Sequence, residues 1–440
     1  MFHLPSFAFT IFADFLLFLS AFVLLHLLFT TMVSIFALKK PTRDYPIVPD
    51  EKKFLMIVPA HNEDTVIKET VEALAYQNYA RDLYDIVVIA DNCTDHTVQI
   101  CKAASKVYGT YFFENQSPKG APRGKPHGIA ALFERWERWK AYDYIAFIDA
   151  DNIVEKNYLR EMNSQAVAHP EFVAIQGYLG MKNVESSVMA QGYSAAYFAA
   201  NRSWQYACYV LGWNAAIGGT GFILSAPYLL EHGWNPRSYT EDFELQIELS
   251  IAGARVGWNH FAVIYDEKPN SLRVSHFQRI RWAQGHWFVC MSTTFRQIGS
   301  WFRSRNLREL MSKFAAFFYS YSMLRSALVL IALVALAIDI RTLHYLPGLF
   351  SFLPFWLVIG AYNFILLPFL YIIEEAKVYA QAKGRLRSRV WFYVKLNLSM
   401  LYSSLAYMVV QIWGFLTWWR PQNNWRKTAH SMTMTEGNAK

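Results

Sequence analysis

The stretch YIAFIDADN, residues 144–152, runs apolar and aromatic side chains straight into two aspartates, Asp149 and Asp151, separated by one alanine. A short, continuously apolar run reads as a strand buried on both faces. Unpaired charge is costly to bury, so carboxylates at the end of such a strand need a partner or solvent. Two carboxylates one residue apart suit a hard divalent cation, Mg²⁺ or Mn²⁺, with phosphate oxygens completing its shell. The competing reading is an acidic turn in water. Placement at the end of a buried strand favours the cation.

The same design recurs upstream. FLMIVPAHN (residues 54–62), YDIVVIADN (84–92) and GTYFFEN (109–115) read as strands. Between them, DTVIKETVEALAYQ (64–77), DHTVQICKAASKVY (95–108) and GIAALFERWERWKAY (128–142) have helical spacing. This alternation predicts an α/β domain on a mostly parallel sheet. Ligands of such sheets bind beyond the carboxyl ends of the strands. Three of the ends are polar, at His61-Asn62-Glu63, Asp91-Asn92 and Asp149–Asp151, and converging ends make one site.

The 440 residues allow two or three domains, and 54% hydrophobic with 17% aromatic residues is rich for a soluble protein. The net charge of +8 gathers after and between long apolar runs, as in proteins facing anionic lipid. No basic and aromatic platform stands out, so nucleic acid is not an expected partner. Cys93, Cys101, Cys208 and Cys290 lack CxxC or zinc spacing and read as reduced thiols in a cytosol-like compartment.

The apolar runs cover about residues 7–38, 314–338, 346–373 and 392–419. Each exceeds the ~20 residues that cross a bilayer. Basic residues follow the first run (Lys39, Lys40, Arg43) and separate the last two (Lys377, Lys383, Arg385, Arg387, Arg389). The positive-inside rule then gives one crossing, a large cytoplasmic domain and three further crossings, in the plasma membrane. Parity puts the tail RPQNNWRKTAH outside, against its charge, so the last run is re-entrant or the first crosses twice. The expected divisions are an N-terminal transmembrane segment at 1–45, a catalytic domain at 46–287, an interfacial helix at 288–313, and a C-terminal transmembrane region at 314–440 with a basic cytoplasmic loop.

Three further segments carry candidate chemistry. Lys125, where a loop enters a helix, is either a diphosphate counter-charge or an ordinary solvated lysine. In YTEDFELQIELSIAG (239–253), Thr240 reads as a helix cap. Glu241 and Asp242 either offset the helix dipole or supply a general base. In SHFQRIRWAQGHW (275–287), Gln278, Arg279, Arg281 and Trp282 suit phosphate and a sugar ring, or else lipid headgroups. The glycine-rich AIGGTGFILS (216–225) permits close backbone approach to a ligand but lacks the GxGxxG and Walker spacings.

Taken in order, Asp91, Asp149-Ala150-Asp151, Thr240-Glu241-Asp242 and Gln278-Arg279-Ile280-Arg281-Trp282 resemble the D, DxD, TED, QxxRW series of membrane-embedded family 2 glycosyltransferases, the group of cellulose, hyaluronan and poly-N-acetylglucosamine synthases. VPAHNE (58–63) resembles the family's opening strand and turn. The resemblance spans about residues 52–287 and implies a GT-A fold taking a UDP-sugar. It implies that Glu63, Asp91 and Lys125 contact the uridine or ribose, with Pro59 and Ala60 as backbone neighbours. Asp149 would lie beside the nucleotide and Asp151 would bind Mg²⁺ or Mn²⁺. Asp242 would be the base, Gln278, Arg279 and Arg281 would close over the pyrophosphate, and Trp282 would face the acceptor. Asn92 departs from the second aspartate of many relatives. The implied reaction is inverting transfer to a growing β-linked polysaccharide, processive and coupled to export through the membrane helices, with an accessory membrane subunit as a possible partner. The alternative is transfer of one sugar to a membrane lipid. FIDADNIV also loosely resembles the start of haloacid-dehalogenase phosphatases, but Ile153 misfits that pattern and the later motifs go unexplained. A transporter without chemistry leaves the α/β domain unexplained.

Overall fold

The computed structural model describes residues 6–118, 120–324 and 358–420. Eight strands form one sheet: β1 (Phe54–Ala60), β2 (Tyr84–Asp91), β3 (Tyr111–Asn115), β4 (Tyr144–Phe147), β5 (Ile153–Val154), β6 (Phe172–Met181), β7 (Phe222–Ser225) and β8 (Arg255–Asp266). Their order is β3-β2-β1-β4-β7-β6-β8-β5. The first four in that order are parallel. The chain winds outward from β1 to β3 and then returns to place β4 on the other side of β1. That switch point opens a crevice at the strand ends.

The predicted strands at 54–62, 84–92, 109–115 and 144–152 all form. β1 is buried along its length because its side chains alternate between two cores. Leu55 and Ile57 enter one, Met56 and Val58 the other. The sheet is more mixed than the sequence suggested. β7 is antiparallel to both β4 and β6, and β5 to β8. β7 enters directly from the glycine-rich loop, without the crossover helix that a parallel neighbour of β4 requires.

The helices are α1 (Ser6–Ile35), α2 (Ile67–Ala75), α3 (Thr97–Tyr108), α4 (Lys125–Arg135), α5 (Tyr158–Ala168), α6 (Val188–Ala200), α7 (Ala207–Val210), α8 (Ala226–His232), α9 (Glu241–Ala252), α10 (Leu272–Trp301), α11 (Leu307–Ser320), α12 (Leu367–Glu375), α13 (Lys377–Gln381) and α14 (Leu386–Phe415). Among the described residues, two spans, Ala21–Leu38 and Leu386–Phe415, are long and apolar enough to cross a membrane. The predicted run at 314–338 begins inside α11, and its continuation from 325, the start of the 346–373 run and the tail after 420 lie outside the described residues.

Two expected divisions cut across helices. The 287/288 division falls inside α10, which Ser271 caps by accepting from Val274 N–H and which runs unbroken to Trp301. The supposed interfacial helix at 288–313 is therefore the second half of α10, a turn, and the start of α11, capped by Asn306. The basic stretch between the last two runs is largely helix: Lys377 opens α13, and Arg387 and Arg389 lie in the first turn of α14.

α14 lies tightly on the catalytic domain. A Cβ at Gly192 of α6 would come within 2.5 Å of the Ser399 carbonyl, and one at Gly414 within 2.4 Å of Ala283 on α10. The buried Arg202, in the π-helical segment Asn201–Tyr206, donates to the carbonyls of Ala37 and Lys39 and pairs with Glu374 at 2.6 Å and Glu375 at 2.9 Å. One guanidinium thereby joins the end of the first apolar span, the domain and α12.

Candidate active site

The ends of β1, β2 and β4, the start of α4, the glycine-rich loop, the start of α9 and one face of α10 surround a cavity of about 1030 Å³. Pro59, Ala60 and Glu63 line it from β1, and Asp91 from β2. Asp149 and Asp151 follow β4. Asp242 enters from α9, and Gln278, Arg281 and Trp282 from α10. Eleven of the twelve sequence-predicted site residues, counting Lys125, thus share one space.

Arg279 is the exception and corrects the expectation. It is buried beside that face of α10, turned toward α6 and α14, donating to Tyr193 Oη (2.8 Å), the Ser403 carbonyl (2.7 Å) and Ser403 Oγ (2.5 Å). Its guanidinium lies between the rings of Tyr193 and Tyr407. Helical period places it there: positions 278, 281 and 282 span an arc of about 100°, and 279 falls about 60° beyond the edge of that arc marked by 282.

At the β2 end, Asp91 is 3% exposed. One of its oxygens accepts from Asn92 Nδ2 at 2.8 Å and Asn115 Nδ2 at 2.6 Å. Among the described residues its other oxygen, Oδ2, is buried without a partner, which leaves an acceptor for a ligand N–H or O–H. Asn92 takes a left-handed backbone, φ 51°, which asparagine tolerates, and accepts from Ser117 N–H at 2.8 Å. That local geometry accounts for asparagine at this position.

Lys125 is the first residue of α4 and is not solvated. Its Nζ lies 2.6 Å from Asp149 Oδ1 and 3.4 Å from Glu241 Oε1, and donates to the Gly219 carbonyl at 2.5 Å. Burial pulls its pKa down, but the carboxylates outweigh this and raise it, so it stays charged. Burial raises the Glu241 carboxyl to about 7, opposed by Lys125, and raises Asp242 as well. Glu241 is committed to Lys125, whereas Asp242 has no ion pair among the described residues. Asp242 instead lies against Gly219, whose φ is +81° and where a Cβ would stand 3.0 Å from Asp242 Oδ2. Thr240 takes the cap position of α9, but its side chain makes no capping hydrogen bond.

Sequence reasoning missed the residues that hold the Asp149–Asp151 turn. Thr220 Oγ accepts from the Asp149 N–H at 3.0 Å and donates to Asn152. Asn152 Nδ2 donates to Asp151 at 3.1 Å and Asp266 at 3.2 Å. Lys182 donates to the Asp151 carbonyl at 3.0 Å. Asn152 immediately follows the paired aspartates and was the one available signal. Among the described residues no three His, Cys, Asp or Glu side chains converge on a metal position. The two turn carboxylates form the donor set that Mg²⁺ or Mn²⁺ accepts when it arrives with diphosphate oxygens, so the residues present fit a nucleotide-borne cation.

The mixed sheet and the acid-lined crevice at its strand ends define a GT-A-like fold. A family model described as "Glycosyltransferase like family 2" matches residues 49–285, more than half of the chain, and the chain belongs to that family. Over 275 residues it is 25% identical to a probable glycosyltransferase YdaM of Bacillus subtilis, covering 61% of this chain and 62% of that one. It is 27% identical over 245 residues to the beta-monoglucosyldiacylglycerol synthase of Synechocystis, covering 56% and 50%. It is 23% identical over 230 residues to the poly-beta-1,6-N-acetyl-D-glucosamine synthase of Staphylococcus aureus, covering 52% and 53%. The chain thus spans between half and two-thirds of the length of these curated relatives. The mannosyltransferase PcManGT from Pyrobaculum calidifontis, solved with GDP-Man and Mn²⁺, shares the fold with a TM-score of 0.51 at 16% identity, over 92% of this chain and 98% of that one.

Proposed function

We propose that this family 2 glycosyltransferase is an inverting, divalent-metal-dependent enzyme of the cytoplasmic membrane face, moving a sugar from a UDP-sugar to a growing β-linked polysaccharide. The observation that carries this reading is the single cavity joining the strand-end carboxylates to Trp282 and onward to α14. At about 1030 Å³ it stands at the top of the ~300–1,000 Å³ range of ligand pockets, and it reaches from the strand-end carboxylates to Trp282 and α14.

In this reading Glu63 and Asp91 hold the nucleoside, with Asp91 Oδ2 accepting a donor hydrogen. Asp149 would lie beside the nucleotide and Asp151 would hold Mg²⁺ or Mn²⁺, which when bound supplies positive charge to the diphosphate. Lys125, Gln278 and Arg281 line the path of the departing UDP, and the Lys125 and Arg281 cations offset its growing negative charge while Gln278 offers an N–H donor. Arg281 is half-buried and lies in the field of Glu241, Asp149 and Asp242. Asp242, kept from ion pairing and raised in basicity by burial, takes the proton of the acceptor hydroxyl. The oxygen attacks the anomeric carbon opposite the leaving UDP, so an α-linked donor yields a β-linked product. Trp282, edge-on to Tyr193 at 6.2 Å, offers its face to an acceptor ring.

A second reading, transfer of one sugar to a lipid, is favoured by the apolar wall that Met400, Leu401, Leu405 and Met408 of α14 lend the same cavity. Product size separates the two. Purified protein is incubated with a panel of UDP-sugars and Mg²⁺, Mn²⁺ or EDTA, with Asp242→Asn as control. Metal-dependent UDP release with high-mass β-glycan supports the polysaccharide reading, and a small lipid-soluble product supports the second. Unchanged release by Asp242→Asn overturns the assigned base.

A further inference from the structure

A second cavity, of about 480 Å³, lies at the other end of α9, where Ser250 and Gly253 meet the turn between α10 and α11. The transfer cavity lies at the start of α9 and this one at its end, along a helix of 12 residues that is ~18 Å long. Four cations, Arg255, Arg305, Arg308 and Lys313, line it against one carboxylate, Glu309. Glu309 is already engaged: Lys313 lies 2.7 Å from it, and the Arg305 N–H donates to it at 3.1 Å.

Arg255 and Arg308 have no ion pair among the described residues. Nε of Arg255 is buried without a hydrogen-bond partner, and its guanidinium lies over the Phe172 ring at 5.5 Å. Arg308 is laid along Gly212, where a Cβ would come within 3.2 Å of its Nε. Burial lowers the Arg255 pKa, and the Arg308 charge lowers it further. The walls that carry these charges are tied down, since Asn214 N–H donates to Ser312 Oγ at 3.0 Å and Asn214 Nδ2 to the Ala254 carbonyl at 2.8 Å. Two mutually repelling guanidinium groups held at one cavity are relieved by an oxyanion that accepts from both.

The geometry points to a phosphate-binding site here, separate from the transfer centre, in which Arg255 and Arg308 grip a phosphate mono- or diester with Arg305 at the rim. The oxyanion is a free phosphate or the headgroup of an anionic lipid. The lipid source is within reach because Trp213, next to Gly212, stacks on Phe29 of the first apolar span at 5.9 Å.

The test uses the full chain in a nonionic detergent and follows its thermal midpoint. One arm titrates inorganic phosphate with ionic strength held constant by chloride, which removes general screening. The other titrates phosphatidylglycerol against diacylglycerol, which carries no phosphate. The expected result is a saturable rise in midpoint, with half-saturation moved at least about tenfold in Arg255→Gln and Arg308→Gln, and less in Arg308→Lys. A response to phosphate marks a free-oxyanion site, and a response to phosphatidylglycerol alone marks a headgroup site. Flat wild-type titrations with both probes overturn the assignment even if a variant misfolds. So do titrations that are the same in wild type and both glutamine variants.

Discussion

The Lys125 ammonium lies 2.6 Å from Asp149 and 3.4 Å from Glu241, so one buried cation ties the end of β4 to the start of α9. Lys125→Met leaves these carboxylates facing one another without a counter-charge. Breaking a buried pair from one side costs about 3–5 kcal/mol, and the partial exposure of Asp149 puts the expected loss near ~3 kcal/mol. Denaturant unfolding checks this, with turnover expected to fall by at least about a hundredfold and Lys125→Arg expected to recover part of both.

The base must be deprotonated to act, and burial raises Asp242 above the ordinary carboxylate value of ~4. Activity is expected to climb with pH through a limb above that value, and a limb at or below it refutes the assignment. Stability should run the other way at Glu241. Its folded pKa of about 7 is above the unfolded value, so its contribution is complete below pH ~4 and is lost as pH rises through about 7. Thermal midpoints should therefore fall between about pH 5 and 8, and less steeply in Glu241→Gln.

Arg279→Ala separates an anchor from a phosphate contact. It removes three hydrogen bonds that join α10 to α6 and α14. Such charge-assisted bonds are worth ~1.5–3 kcal/mol each and are not additive, so a loss of about 3 kcal/mol is expected, with donor KM within about twofold of wild type. An unchanged unfolding midpoint together with a much higher donor KM would return Arg279 to the pyrophosphate.

Gly219→Ala probes the placement of the base. At φ +81° an L-residue is strained by ~1–2 kcal/mol, and the new methyl would press on Asp242 Oδ2 from 3.0 Å. Displacing the base is expected to lower kcat by about 10–100-fold while donor KM stays nearly constant. A parallel rise in KM would show instead that the loop chiefly holds the donor.

Residue order alone determined the catalytic half of this fold. β1, β2 and β4 are continuous apolar runs that end in carboxylates or amides, and short-range pattern is enough to mark such elements and their sense. It also grouped Asp91, Asp149 and Asp151, since parallel strands that end together bring their termini together, whereas Asp242, on α9, joined them only through the family resemblance. Helical period was equally legible at 278–282 and would have turned Arg279 away from its neighbours, had those positions been placed on a helix rather than read as one motif. Only the tertiary structure decided the rest. Lys125 meets the Gly219 carbonyl across 94 residues, β7 reverses the sheet, and α14 closes over Arg279. Those outcomes rest on packing between elements far apart in the chain, and no local spacing encodes which distant carbonyl or carboxylate a buried cation will find.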